Sequence, residues 1–164
     1  MSAQTTYKFS SPIGSPGGIV DLTPHAIDSF LNGEETGVMK FGVGVVKGDK
    51  PGVNVKLPTS AATAAVFEGI TVNNRTTEYD LEGKAHLREG KALGVLRYGR
   101  IYVRVAEGAT PAYGDAAYIV KSGDEAGYFT NTSTDNLAVK GRFLGGVDGS
   151  SGVAVVELFN QAQA

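Results

Sequence analysis

The chain has 164 residues with 23 glycines, no cysteine and a formal net charge of −2, a length that suits one domain with its own hydrophobic core. Because cysteine is absent, thiolate catalysis, iron–sulfur clusters and cysteine-based zinc sites are excluded, and the slightly acidic balance offers no basic field to attract nucleic acid. Glycine is about twice as frequent as its usual share of about 7%, which indicates many tight turns.

Residues 1–37 are predicted to form an extended N-terminal arm. The stretch from Ser10 to Pro24 is rich in proline, which fixes φ and lacks an amide hydrogen, and in glycine, which loses much entropy on ordering. The arm is therefore expected to reach for a partner through apolar side chains spaced along it. These candidate contact residues are Tyr7, Phe9, Ile13 and Ile19.

One short helix is predicted inside the arm, near residues 24–31. Pro24 suits the first position of a helix, and the threonine before it can cap the helix. Ile27, Phe30 and Leu31 then follow at the i, i+3, i+4 spacing of one apolar helix face, and an Asn–Gly pair ends the segment.

From residue 38 to residue 164 the sequence predicts a β domain. Short apolar runs rich in β-branched and aromatic residues are separated by turn residues roughly every 8–12 positions, as in a sandwich or a barrel. About eight to ten strands fit this pattern. The runs lie at 38–46, 53–57, 65–72, 91–105, 116–120, 128–131, 138–147 and 152–159.

The run at 91–105 is the strongest strand candidate. Gly99 is expected to mark a bulge or turn inside it, because an isolated glycine in a strand pattern usually does. Beyond this glycine, Ile101, Val103 and Val105 alternate with polar or aromatic residues and therefore share one face.

Two segments fit the strand pattern less well. Residues 77–93 are rich in charge and in helix formers, but two glycines weaken a helix, so we interpret them as an insertion loop, with a helical turn as the alternative. Residues 59–67 are rich in alanine, and their β-branched flanks favour a strand. The predicted fold class is all-β: a single β-sandwich or barrel, jelly-roll-like, with an extended N-terminal arm and at most one or two short helices.

Residues that could carry catalysis are few and scattered. His25 and His86 lie in no motif with a nucleophile and a third group that orients the ring. The adjacent carboxylates at 34–35 and 124–125 fall in turns, where solvated acids are common. The glycine-rich run at 41–52 matches no phosphate-binding motif and is followed by strand rather than helix. We therefore expect no catalytic residue, no cofactor and no metal.

The arginines of the 91–105 run lie among tyrosines, a pattern that also occurs in base-stacking surfaces. Because the chain is net acidic, we interpret Arg97, Arg100 and Arg104 as part of a sheet face with paired charges. No apolar run of membrane-spanning length and no leader pattern occur in the sequence. We expect neither nucleic acid nor a membrane as a partner.

The last run, at 152–159, is predicted to be a core strand. Val155 and Leu158 cannot share a face of a regular strand, so either both faces are buried or a bulge lies near Glu157. We take Val155 as a core residue, and Val155→Asp is expected to prevent folding because it would bury an unpaired charge.

The order of the segments resembles that of the structural cement, or capsid decoration, proteins of tailed bacteriophages. The resemblance covers residues 38–159. Its markers are FEGIT at 67–71, GRIYVR at 99–104 and AYGDAAY at 112–118, followed by a hydrophobic GVAVVELF ending. None of these is a catalytic signature, so the resemblance depends on order and spacing.

The resemblance implies a non-enzymatic virion protein that binds the outer surface of an assembled phage head and cements neighbouring major capsid subunits. It would be made in the cytoplasm of the bacterial host, with residues 38–164 as the decoration domain. The implied partners are the major capsid protein and further copies of the chain itself, because a dimer or trimer matches symmetric capsid sites.

Two other functions stay open. A receptor- or carbohydrate-binding virion module would present exposed tyrosines, for which the candidates are Tyr98, Tyr102, Tyr113 and Tyr118. A small carbohydrate-active enzyme would need convergent carboxylates across a cleft. The candidates for that pair are Asp80 or Glu82 with Glu89.

Overall fold

A computed structural model describes residues 14–73, 78–79 and 85–160, and at 78–79 and 85–86 it describes the backbone alone. This part of the chain contains eleven β-strands and a 3₁₀ helix at Ala64–Val66, and no helix in it is long and apolar enough to cross a membrane. The strands are β1 (Ala26–Asn32), β2 (Gly44–Lys47), β3 (Asn54–Lys56), β4 (Phe67–Thr71), β5 (Glu78–Tyr79), β6 (Ala85–His86), β7 (Ala92–Arg104), β8 (Ala116–Val120), β9 (Phe129–Thr130), β10 (Asn136–Phe143) and β11 (Val153–Leu158).

Five of the described strands close into a small barrel. Their order is β1-β3-β2-β4-β7, and β7 pairs back with β1. β1 and β3 run parallel, whereas the other four pairs are antiparallel. The barrel strands and the segments beside them form one apolar cluster: Phe30, Met39, Val43, Val45, Val55, Leu87, Leu93 and Val95.

The second half of β7 begins a further sheet in the order β7-β11-β10-β8-β9. This sheet curves back on itself: Val105, the residue directly after β7, forms an isolated parallel bridge with Phe129 of β9. Its inner face and the outer wall of the barrel share the larger apolar cluster. The cluster is built from Val46, Phe67, Ile70, Val72, Leu96, Ile101, Val103, Val105, Ala117, Ile119, Phe129, Leu137, Phe143, Ala154, Val156 and Leu158.

The predicted all-β class is confirmed. The prediction left a sandwich or a barrel open, and the structure contains a barrel. Each predicted run contains an observed strand, and Ile101, Val103 and Val105 are buried as expected. The register of β7 against β1 is irregular near Tyr98, and Gly99 has φ +126°, as predicted for a bulge. A Cβ at Gly99 would lie only 2.6 Å from the His25 Cβ, so glycine is needed there.

The helix predicted near residues 24–31 is wrong, because the segment forms β1. Phe30 is buried in the barrel, whereas Ile27 and Leu31 lie exposed on its outside, so the apparent helical spacing combines residues from two faces. The proline and the threonine before it lie in an irregular turn. Residues 26–32 are therefore part of the barrel rather than of a separate arm.

The two ambiguous segments also differ in detail from the predictions. The strand predicted over 59–67 is wrong: the backbone turns, forms the 3₁₀ helix and becomes a strand only at Phe67. Within 77–93 the described residues are not helical, because β5 and β6 pair antiparallel and β7 begins at Ala92. The charged segment is an insertion that carries a short β-ladder.

The C-terminal strand β11 has a regular register with β7, without a bulge near Glu157. Ala154, Val156 and Leu158 are the residues that face the larger core cluster. Val155 is only half-buried on the opposite face, so its assignment to the core was wrong.

The register of β11 is tested by placing an aspartate either at Val156, the observed core residue, or at Val155, the predicted one. Val156 is completely buried, so we expect Val156→Asp to abolish folding because it places an unpaired charge in the core. Val155→Asp is the matched control, and it should stay folded at a cost of about 1–2 kcal/mol. Circular dichroism and size-exclusion chromatography measure both. A folded Val156→Asp variant would contradict the register.

A second prediction concerns Gly69 in β4, which has φ +153°. A Cβ at this position would overlap the carbonyl oxygen of Leu96 and lie 2.7 Å from a methyl carbon of Val95. We expect Gly69→Ala to lower the free energy of unfolding by about 3 kcal/mol or more. Gly108→Ala is the control, because Gly108 has φ +75° with open space around it and should cost only about 1–2 kcal/mol. Equal costs in urea denaturation would show that the β4–β7 contact is looser than described.

Candidate functional site

The two histidines provide no catalytic centre in the described structure. His25 is exposed at the start of β1, and its Nδ1 lies 2.9 Å from the carbonyl oxygen of Thr23. The side chain of His86 lies outside the described atoms. No group of three or more histidine or acidic side chains that could hold a metal occurs among the described residues.

Carboxylates of the two adjacent acidic pairs bind backbone rather than each other. Glu34 Oε1 accepts a hydrogen bond from the Leu57 amide at 2.8 Å, and Glu125 Oε1 accepts one from the Glu107 amide at 2.9 Å. These acids fix loops to neighbouring segments. Asp80 and Glu82, proposed with Glu89 as an enzymatic pair, lie outside the described residues.

The glycine-rich run at 41–52 has no free row of amides for a phosphate. The amides of Gly42, Gly44 and Gly48 donate to the carbonyl oxygens of Thr71, Gly127 and Asn54 at 2.8–3.0 Å. These bonds tie the run into the barrel and to the loop before β9, so the glycines serve close backbone packing.

The outer face of the second sheet carries a row of alternating charges, which we call the ion row. It consists of Asp21, Arg100, Glu157 and Arg142. Arg100 Nη1 lies 3.0 Å from Asp21 Oδ2, and Arg100 Nε lies 3.2 Å from Glu157 Oε1. Arg142 closes the row with Nε and Nη2 each 2.8 Å from Glu157 Oε2.

Strand register explains why the ion row is straight. Glu157 of β11 is the cross-strand partner of both Arg100 on β7 and Arg142 on β10. Asp21 follows a stretch that adds to the other edge of β7, where the Val20 amide donates to the Arg100 carbonyl oxygen at 3.1 Å. The row therefore runs perpendicular to the strands, across the Asp21 segment, β7, β11 and β10.

Aromatic side chains stand at the Arg142 end of the ion row. The guanidinium carbon of Arg142 lies 5.9 Å from the ring centres of both Tyr113 and Phe159, within the range of cation–π contacts. Tyr113 is 70% exposed and Phe159 is 45% exposed. A groove of about 360 Å³ runs from Phe159 past Gly99 to Pro24, beside the turn that carries Asp21.

At the opposite end, a fixed turn presents Leu22 to solvent. The Asp21 carboxylate accepts hydrogen bonds from both the amide and the hydroxyl of Thr23, and it is also held by Arg100. Leu22 lies at the apex of this turn and is 97% exposed. The turn therefore holds this apolar side chain in a fixed, exposed position.

The pKa values of both acids in the ion row lie below their ordinary values. Hydrogen bonds from the hydroxyl and the amide of Thr23, with help from Arg100, lower the pKa of Asp21. Partial burial raises the pKa of Glu157, but the hydrogen bonds and charges of Arg142 and Arg100 outweigh this effect, so the pKa is lowered overall. Both acids are therefore ionised at neutral pH.

The sequence-predicted contact residues fall in different places. Tyr7, Phe9 and Ile13 lie outside the described residues. Ile19 is half-buried, forms a bridge with Ile101 and packs on the larger core cluster, so it fastens the arm to its own domain. Its contact with a capsid stays a prediction.

Of the four tyrosines proposed for ligand stacking, Tyr113 is exposed, whereas Tyr98, Tyr102 and Tyr118 are half-buried. Gly14 lies directly against the ring of Tyr102, so the arm covers that ring. A flat platform of exposed tyrosines is therefore not formed by these four residues.

The interpretation of the arginines as a sheet face with paired charges is confirmed for Arg97 and Arg100. Arg97 pairs with Glu68, and Arg100 belongs to the ion row. Arg104 Nε instead donates to the Phe41 carbonyl oxygen at 3.0 Å. Sequence reasoning missed Leu22 and Arg142, because only the fold brings the turn that carries Leu22 and the strand that carries Arg142 to opposite ends of the ion row.

The lowered pKa values predict the response of the fold to acid. A carboxyl whose pKa is lower in the folded state adds stability above its unfolded pKa, about 4, and this contribution is lost as the pH falls through the folded pKa. We expect the free energy of unfolding to decrease below about pH 4. In Glu157→Gln this decrease should be shallower, because unfolding of the variant releases at most one proton-binding carboxylate fewer in that range. Urea denaturation from pH 7 to pH 2.5 measures this. If the free energy of unfolding of Glu157→Gln decreased below pH 4 as steeply as that of the wild type, the role of this carboxylate would be contradicted.

Comparisons with known proteins agree with the observed architecture. The fold is similar to a chain in the solved structure of the capsid of Myoviridae phage XM1, with a TM-score of 0.72 and 20% sequence identity over 99% of this chain and 100% of that chain. No curated protein matches the sequence significantly. The sequence profile of the family described as structural cement protein (E217 gp24/Pam3 gp6) matches residues 3–159. The resemblance drawn from segment order is thus confirmed, and the chain belongs to the structural cement protein family.

Proposed function

We propose that the protein is a non-enzymatic component of a phage virion that binds the outer surface of the assembled head and holds neighbouring major capsid subunits together. The observation that carries this proposal is the family match over residues 3–159. The described acids support it, because Glu34 and Glu125 bind backbone amides rather than converging on a cleft.

The proposed mechanism uses the N-terminal arm as a tether. Residues 1–13 carry Tyr7, Phe9 and Ile13, and each apolar anchor buried on a capsid subunit contributes about 1.5–3 kcal/mol before ordering costs. A ligand that binds the assembled lattice but not free subunits stabilises the lattice by mass action. Many modest contacts then stabilise the whole shell.

The start of the described chain suits this role, because it is fastened along β7. The Gly17 amide donates to the Tyr102 carbonyl oxygen at 2.7 Å, and the Tyr102 amide donates to the Gly18 carbonyl oxygen at 2.9 Å. Together with the Val20 bond, they add an edge to the central strand. A pull on the arm would thus be resisted by β7, which belongs to both the barrel and the second sheet.

Deletion of residues 1–13 tests the tether. The cut leaves the Gly17–Val20 edge in place, so the domain should keep its thermal stability while its affinity for undecorated heads falls at least tenfold. Co-sedimentation with heads measures the affinity. The matched variants are Tyr7→Ala with Phe9→Ala, expected to weaken binding, and Thr5→Ala with Thr6→Ala, expected to leave it unchanged.

The possible outcomes separate the two parts of the proposal. Full affinity of the deletion variant would refute the tether but not capsid binding. Failure of the full chain to sediment with heads at a fixed ratio to the major capsid protein would refute the function itself. Binding of glycans by the full chain would instead favour the receptor- or carbohydrate-binding alternative.

A further inference from the structure

The ion row is complementary to a reversed copy of itself. In order across the sheet its charges are Asp21 negative, Arg100 positive, Glu157 negative and Arg142 positive. Reversing this order places every negative charge opposite a positive one. Laid on an unreversed copy, each charge would face its like. The row thus discriminates between two ways of stacking the same face.

We propose that this outer face of the second sheet is the surface through which two copies of the chain associate. The two-fold axis would lie in the interface, parallel to the strands, between Arg100 and Glu157. Each Asp21 then faces Arg142 of the second copy, and each Arg100 faces the opposing Glu157. This is the isologous contact that two-fold dimers require.

The apolar side chains at the two ends of the ion row fit the same arrangement. Leu22 follows Asp21 at one end, and Tyr113 and Phe159 flank Arg142 at the other. The stretch before Leu22 runs antiparallel to β7, as β11 does, so Leu22 and Phe159 are displaced to the same side of the row. Rotation about the two-fold axis leaves Leu22 and Phe159 on the same side of the ion row and exchanges the Asp21 end of the row with the Arg142 end.

Leu22 of each copy is therefore placed against Tyr113 and Phe159 of the other. The groove between Phe159 and Pro24 lies on the same side, near the proposed axis. Exposed ion pairs contribute little affinity by themselves but select the orientation, whereas the burial of exposed apolar side chains contributes most of the attraction. The apolar side chains would thus supply most of the affinity, and the charges of the ion row would set the orientation of the two copies.

This inference extends the proposed function, because it names the surface for the dimer that a symmetric capsid site would receive. It concerns the protein free in solution, so it is tested without capsids. A protein that does not self-associate would overturn this inference without refuting capsid binding, and a protein that does not bind capsids would leave the dimer measurable.

The absence of cysteine makes disulfide cross-linking a direct test. Leu22→Cys and Tyr113→Cys each place one thiol at a highly exposed position, so both variants should fold normally. In the proposed dimer, residue 22 lies close to residue 113 of the other copy, whereas two copies of residue 22 lie at opposite ends of the row. With adjacent strands about 4.8 Å apart, the three spacings between those ends amount to about 14 Å.

We expect the mixture of Leu22→Cys and Tyr113→Cys proteins to form disulfide-linked dimers under mild oxidation, at least tenfold more than either variant alone. A mixture of Leu22→Cys with Asp49→Cys, on the exposed Asp49–Lys56 pair of the barrel, is the control and should not cross-link. Equal cross-linking of Leu22→Cys with itself would overturn the proposed orientation.

The charges are tested by sedimentation equilibrium of the wild type and of Arg142→Glu. The wild type should form dimers, and Arg142→Glu should raise the dimer dissociation constant at least tenfold, because it faces residue 142 of one copy with Asp21 of the other. Lys56→Glu makes the same charge change on the barrel and should have no effect. A protein that stays monomeric up to about 100 μM, or that forms trimers, would overturn the proposal.

If Arg142→Glu fails to fold, as its thermal unfolding would reveal, Leu22→Ser provides the second test. Leu22 is almost fully exposed, so this change should leave the monomer intact and weaken the dimer at least tenfold. An unchanged dissociation constant in Leu22→Ser would overturn the proposal.

Discussion

The structure depends on one strand that belongs to two sheets. The first part of β7 pairs with β1 and β4 to close the barrel, and the second part pairs with β11 to begin the second sheet. Leu96 and Ile101 lie in the same core cluster although they are five positions apart, whereas regular alternation would place them on opposite faces. The irregular register near Tyr98 and the positive φ of Gly99 provide the required change of face.

This shared strand also explains how far sequence reasoning could reach. The strands were predictable because β-branched residues alternate between turns, and Gly99 was recognisable as an irregularity inside a long apolar run. The segment around Phe30 was not, since residues with exposed and buried side chains imitate a helical repeat. Its true state is set by the partners β3 and β7, which no local pattern reveals.

The ion row was less predictable from the sequence than the strands were. Arg100, Glu157 and Arg142 are far apart in sequence, and each is unremarkable in its own segment. They meet because the registers of β7, β11 and β10 make them direct partners. The family, by contrast, was accessible from the order of the strands alone, because that order follows from the turns and apolar runs that the sequence displays.

The proposed tether and the proposed dimer face meet on the second half of β7. Its backbone receives Gly17–Val20 from the arm, while the Arg100 side chain on the same stretch holds Asp21 and, through it, the turn that presents Leu22. A capsid that binds the arm would therefore act on the strand edge from which the dimer face is built. Since Asp21 directly follows that edge, loosening of the arm would also release one end of the ion row, and a well-fastened arm would keep the row straight. In the proposed assembly these hydrogen bonds would both transmit load from the arm and preorganise the surface for a second copy, so attachment and self-association are expected to reinforce each other rather than compete.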